Sequence, residues 1–128
     1  MKADYEIPPG TGIGHVHLKV ADLERAIAFY SGVLGMHLMQ RLGDSAAFLS
    51  AGGYHHHIGM NTWESRGAMP PPAGSTGLSF YELRLPDAKA VGEVADRVRK
   101  AGGPIEEHDE GLLIRDPFTI GVMLTAES

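Results

Sequence analysis

The chain has 128 residues, no cysteine and a formal net charge of −5. That length suits one domain with a real core, and the missing cysteine excludes disulfides, thiolate nucleophiles and zinc–thiolate sites. The mildly acidic balance, free of charge runs, speaks against a nucleic-acid partner. No apolar run is long enough to span a bilayer and no signal-peptide pattern opens the chain, so a cytoplasmic protein without a membrane partner is expected.

Residues 1–11 read as a polar arm with Pro8-Pro9-Gly10, suited to packing on a partner subunit. A strand follows in which Val16, Leu18 and Val20 take one face and His15, His17 and Lys19 the other. Asp22 is a good N-cap for the next helix, because its carboxylate can accept from the free amides of the first turn. Leu23, Ala26, Ile27, Tyr30 and Leu34 recur at helical spacing as one buried stripe, and Gly35 stands where a left-handed C-cap is expected. Three strands are then predicted: Met36–Leu42, Ala46–Ser50 and Tyr54–Asn61.

Residues 65–75 are rich in glycine, proline and serine, and the run Pro70-Pro71-Pro72 excludes helix and central strand. Beyond this loop the pattern starts again. Leu78–Leu85 reads as a strand and Asp87 as a helix cap. Val91, Val94, Ala95 and Val98 form the apolar stripe, and Gly102-Gly103 ends the helix. Short strands are predicted at Pro104–Glu107, Leu112–Arg115 and Ile120–Thr125. This is an internal repeat of element order, β-α-β-β-β twice.

The stretches Gly14-His15-Val16-His17-Leu18, Asp22-Leu23, Ala28-Phe29-Tyr30 and Val33-Leu34-Gly35 resemble the opening of the vicinal oxygen chelate superfamily. That group includes glyoxalase I, extradiol dioxygenases and the fosfomycin- and bleomycin-resistance proteins. Tyr54 to Trp63, with its three histidines, is similar to the fourth strand of the catechol-2,3-dioxygenase-like branch. The resemblance implies an α+β fold of two tandem βαβββ modules, residues 12–63 and 77–126, joined by a linker over 64–76 within one domain, 1–128. It also implies an open β-cup, built within one chain or swapped across a homodimer, that takes a small molecule.

Alternation assigns the cup-facing residues. His15, His17 and Lys19 come from the first strand. Ile58 and Met60 should face the helices, which turns His55 and His57 inward and leaves His56 with the apolar set. The second module offers Phe80, Glu82 and Arg84, then Gly121, Met123 and Thr125. The family's metal positions correspond to His15, His57, Phe80 and Met123. The last two are not hard nitrogen or oxygen ligands. Glu82, two residues past Phe80 on the same face, is the replacement carboxylate, so His15, His57 and Glu82 form a candidate set for divalent iron, manganese, nickel or zinc.

Two readings follow. In the first, the cup is an enzyme site for isomerase, lyase or dioxygenase-like chemistry on a small aromatic or oxygenated metabolite. His17, His55 and Glu82 are then the acid–base candidates, and Phe80, Met123, Trp63 and Arg84 line the substrate pocket. In the second, a metal-free pocket with Phe80 and Met123 as its apolar floor sequesters an antibiotic or metabolite.

Overall fold

Strand β1 (Val16–Lys19) buries Leu18, as does Val20 just beyond it, while His17 and Lys19 stay exposed. This is the alternation a half-buried strand requires. Our computed structural model describes residues 5–70 and 78–127. Helix α1 (Leu23–Ile27) starts at Asp22, whose carboxylate accepts from the Arg25 amide at 3.1 Å. The sequence predicts one regular helix as far as Gly35. The chain instead widens into π-type turns over Ala28–Val33, with the Leu34 amide bonded five residues back to the Phe29 carbonyl at 2.9 Å. The wider winding lets the consecutive residues Phe29 and Tyr30 both point into the core. Gly35 then turns the chain out at φ +85°, a conformation that favours glycine.

Strands β2 (His37–Leu42), β3 (Ala46–Ser50) and β4 (Ile58–Asn61) complete the first unit. β4 is half the predicted length. Residues 54–57 are bend and coil rather than strand. Elements β5 (Phe80–Leu85), α2 (Ala88–Lys100), β6 (Ile105–Glu107), β7 (Leu112–Arg115) and β8 (Gly121–Ala126) repeat the order. Asp87 caps α2, accepting from the Ala90 amide at 2.8 Å. The two sheets have matching topologies, β1-β4-β3-β2 and β5-β8-β7-β6, with the first pair parallel in each. The fold is therefore α+β with two βαβββ units. Residues 65–70 of the predicted loop are turn and coil, and its remainder lies outside the described residues, as does the start of the N-terminal arm. None of the described helices is long and apolar enough to cross a membrane.

One core serves both units. Leu18, Val20, Leu49, Ile58 and Met60 from the first unit meet Tyr81, Val98, Ile114, Val122 and Leu124 from the second. The contact runs through the helix-side faces. Arg97 of α2 donates to the carbonyls of Gly32 and Val33, at 2.7 and 2.6 Å. It thereby places a cation on the free carbonyls that end the first helical segment. The Arg25 guanidinium lies 5.5 Å from the centre of the Phe118 ring.

The polar centre of this contact is Asp116. Its Oδ2 accepts from the Tyr30 hydroxyl at 2.6 Å, and Oδ1 accepts from the amides of Phe118 and Ile120 at 2.8 and 2.9 Å. Burial pushes the carboxyl above its ordinary value, against the opposing pull of those three hydrogen bonds. The Tyr30 and Tyr81 hydroxyls are held far from ionisation, mainly by burial. Asp116→Ala should cost about 3 kcal/mol in a denaturant titration, because three buried donors lose their acceptor. Tyr30→Phe should cost about 2 kcal/mol, and the double variant less than the sum, since the two changes delete a shared bond. Because the folded carboxyl is raised, the unfolded chain ionises first as pH climbs. The stability of the wild type relative to Asp116→Asn should therefore be greatest in acid and fall as pH rises through the carboxylate range.

Candidate functional site

Register decides what each sheet shows on the face away from the core. In the first sheet His17 lies beside Gly59 and Lys19 beside Asn61, with Phe48 opposite Gly59. In the second, Phe80 lies beside Gly121, Glu82 beside Met123 and Arg84 beside Thr125. Alternation predicts this face for His17, Lys19 and Gly59 and for the six residues of the second sheet; Asn61 and Phe48 are additions that the pairing makes. Phe80 is 44% exposed and Met123 only 3%.

The histidines gather beside the first sheet. His15 and His56 rings are 4.4 Å apart, His56 is 5.1 Å from Phe48, and His55 is 4.8 Å from His56. Tyr54 adjoins both His55 and His57, at 4.3 and 4.4 Å. His56 thus stands on the Phe48 side, with the cup-facing groups, and not with Ile58 and Met60 as alternation predicts. The strand has not yet begun at this point, so its period does not apply. Partial burial and the four neighbouring histidines, His15 first among them, hold the His56 imidazole below its ordinary value.

His57 is tied down more firmly. Its backbone amide donates to Leu49 and its carbonyl accepts from Val16, while its Nδ1 accepts from the Ala51 amide at 3.1 Å. An accepting Nδ1 carries no hydrogen, so the proton of the neutral ring sits on Nε2, which this bond leaves as a donor. His17 Nε2 lies 2.6 Å from the side-chain amide nitrogen of Asn61, and the His17 ring stacks at 6.5 Å on Trp63. Asn61 escaped the sequence reading. Its signal was its register position beside Lys19, which only the pairing reveals. Lys19 pairs with Glu64 at 3.6 Å, both well exposed. Beside β1 a cavity of about 480 Å³, lined by His17, Lys19, Met69, Phe118 and Ile120 among others, is large enough for a small molecule.

Glu82 belongs to the other sheet. Its Oε2 accepts from the Thr125 hydroxyl at 2.6 Å and from Arg84 Nε at 3.4 Å. The Thr125 bond is the main reason its carboxyl titrates below the usual carboxylate range, with Arg84 adding to it. Both of these bonds engage Oε2, so an ionised carboxylate presents its other oxygen, Oε1. Within one chain Glu82 is not brought to His15 and His57. No three His, Asp or Glu side chains among the described residues are placed to hold an ion together. The candidate metal set does not fit the chain taken alone, and no chemical step is routed through an ion here.

The architecture is that of proteins built from paired βαβββ units with a polar concave surface. The comparisons specify the group. Residues 12–120 match the model of the Glyoxalase/Bleomycin resistance protein/Dioxygenase superfamily, and the chain belongs to that superfamily. It is 47% identical over 114 residues to a Bacillus subtilis protein, catechol-2,3-dioxygenase, which aligns with 88% of this chain. The chain spans about two fifths of that relative's length, 40%. Among solved structures, lactoylglutathione lyase from Agrobacterium tumefaciens superposes with a TM-score of 0.70 at 22% identity, covering 93% of this chain and 96% of its own. The fosfomycin resistance protein FosX from Mesorhizobium loti gives 0.66 at 18%, covering 91% and 92%. These two likenesses establish the fold.

Thr125→Val deletes the strongest support of the Glu82 carboxylate. The Glu82 titration, followed through its side-chain carbonyl carbon by NMR, should move up toward the ordinary carboxylate value, and an unchanged midpoint would contradict the assigned cause.

Proposed function

We propose that this protein is an enzyme acting on a small aromatic or oxygenated metabolite, in a cup that two copies of the chain complete together. The observation that carries this reading is the division of faces. The helix-side faces of both sheets are consumed in one shared core. The faces bearing His17 and Phe80, Glu82 and Arg84 are left open. A polar half-cup that a single chain leaves uncovered is completed by a second half-cup, and a homodimer supplies one by symmetry.

In this arrangement His15 and His57 of one copy would face Glu82 of the other. Two imidazoles and one carboxylate are a donor set of the right chemistry for a divalent metal, once the Ala51 bond to His57 Nδ1 gives way so that Nε2 can lose its hydrogen. Such an ion, when bound, would draw charge from two neighbouring substrate oxygens. The chain's own residues do the rest. Arg84 and Lys19 offer positive charge to an anionic substrate group. Phe80, Met123 and the 65%-exposed Trp63 supply apolar and aromatic wall. Whichever of His17, His55 and Glu82 is not on the metal can hold or pass a proton. The 47% identity to a catechol-2,3-dioxygenase supports an aromatic diol as the substrate class and ring cleavage as the reaction class.

A second reading has its own support. Phe80 and Met123 put an apolar pair where the resemblance leads one to expect ligands, which favours a metal-free pocket that sequesters a planar drug or metabolite. Plasma mass spectrometry on untagged protein separates the two. Near one ion per cup in the wild type, lost in His57→Ala and in Glu82→Ala, is the result expected. Protein that stays empty after incubation with iron, manganese, nickel and zinc would leave the sequestering reading standing.

Mixing gives a sharper test of the shared cup. His57→Ala and Glu82→Ala homodimers should each bind no metal. Unfolded and refolded together, they should regain up to a quarter of the wild-type content, because half the mixed population is heterodimer and each heterodimer has one intact cup of two. A monomer by sedimentation, or no recovery on mixing, would refute the shared cup.

A further inference from the structure

The hydrogen bonds around Asn61 fix the chemistry of His17. Asn61 closes β4 and is buried, at 5% exposure. Its Oδ1 accepts from the Trp63 backbone amide at 3.1 Å. A backbone N–H can only donate, so the end of the side-chain amide that meets it must be the oxygen. The other end is then the NH₂ group, which has hydrogens to give and no lone pair to accept with. That nitrogen lies 2.6 Å from His17 Nε2. Nε2 must therefore be the acceptor, bare of hydrogen, and the single proton of the neutral ring sits on Nδ1.

Gly59 completes the arrangement from below. A β-carbon built at Gly59 would stand 2.8 Å from His17 Nδ1, 3.2 Å from Cε1 and 3.3 Å from Phe48 Cδ1. The imidazole thus lies directly on the bare backbone of the neighbouring strand, in space that any other residue would fill. Nδ1 has no hydrogen-bond partner among the described residues, and His17 is exposed on the cup face.

We infer that Asn61 and Gly59 are positioning residues that lock His17 as its Nδ1–H tautomer, so that His17 offers the cup a hydrogen-bond donor and not a base. The ligand group it meets is accordingly an oxygen acceptor: a carbonyl, a carboxylate or a phenolate. The ligand clause rests on the cup being the binding site, as proposed above; the lock itself stands on the hydrogen bonds alone. Of the three proton-carrying candidates, His17 is thereby placed on the donor side, and proton removal falls to His55 or Glu82.

The test is a long-range nitrogen–proton correlation spectrum of the full chain labelled with ¹⁵N-histidine, the His17 pattern assigned by its loss in His17→Gln. The wild type should show a protonated Nδ1 and a bare Nε2 for His17. The reverse pattern in the wild type would overturn the lock without need of any variant. Asn61→Asp, whose carboxylate can only accept, should invert the pattern, with the proton on Nε2. Retention of the wild-type pattern in folded Asn61→Asp would also overturn it. Gly59→Ala should displace the ring and abolish the single-tautomer signature. For the ligand clause the probe is 4-nitrocatechol, which presents a phenolate. It should shift His17 Nδ1 selectively over Nε2 in the wild type and not in Asn61→Asp. A locked His17 whose Nδ1 ignores the probe would overturn the ligand clause and the cup reading with it, leaving the tautomer assignment intact.

Discussion

A four-stranded sheet with a helix on one side can hide only that side, and the structure turns on how this chain uses the allowance. Both helix-side faces go into one core, pinned by the Tyr30–Asp116 bond and by Arg97 on the carbonyls of Gly32 and Val33. The apolar residues driving this are the ones that alternate in β1, β4, β5 and β8, and in the outer strands β1 and β5 burial on one side leaves the other exposed, while the inner strands β4 and β8 are covered on both. The cup-facing residues are thus polar or open as a consequence of register. A slip of one residue in β1 would bury His17 and expose Leu18, which the burial of apolar surface forbids.

That coupling explains what the sequence made legible. Wherever a strand has one buried face, period two is written into the side chains. β1, β3, β5 and β7 could be placed to within two residues, and the faces of β1 and β5 assigned. Asp22, Asp87 and Gly35 marked helix ends for local reasons, because their side chains or backbone freedom act within one turn. The failures have a common physical cause. Residues 54–57 alternate with nothing, since all three histidines are polar, and the strand was extended through them only because Ile58 and Met60 alternate beyond. Their true anchors are two backbone bonds to Leu49 and Val16 and the Ala51 bond to His57 Nδ1. Such bonds depend on where neighbouring chains lie, not on side-chain pattern. The widening of α1 was hidden for a similar reason, because a helical stripe does not record whether a turn holds 3.6 residues or more.

The two halves of the site differ in kind. The first sheet carries imidazoles in mutual contact, and burial, with the neighbouring histidines adding to it, lowers the affinity of His56 for a proton. The second carries a carboxylate that Thr125 and Arg84 keep ionised, set among Phe80 and Met123. Imidazole nitrogens on one surface and a charged oxygen on another are complementary toward anything that has both an acidic hydroxyl and a carbonyl-like oxygen. Neither surface is complete by itself. One offers donors and lone pairs without compensating charge; the other offers charge with little to orient a substrate.

Orientation in turn depends on residues that touch no ligand. Asn61 is buried at the end of a strand whose neighbours Ile58 and Met60 are held rigidly in the core, so its amide cannot drift away from His17 without breaking its bond to the Trp63 amide. Gly59 contributes by having no side chain at all. A histidine in water samples both tautomers at little cost, and selecting one requires a partner of fixed polarity held in place by something stiffer than itself. Here the stiff element is β4, and the fixed polarity comes from a backbone N–H, a hydrogen-bonding group that can neither flip nor titrate. The core thereby reaches the chemistry in three steps. Apolar burial sets the strand, the strand sets the amide, and the amide decides which nitrogen of His17 carries the proton.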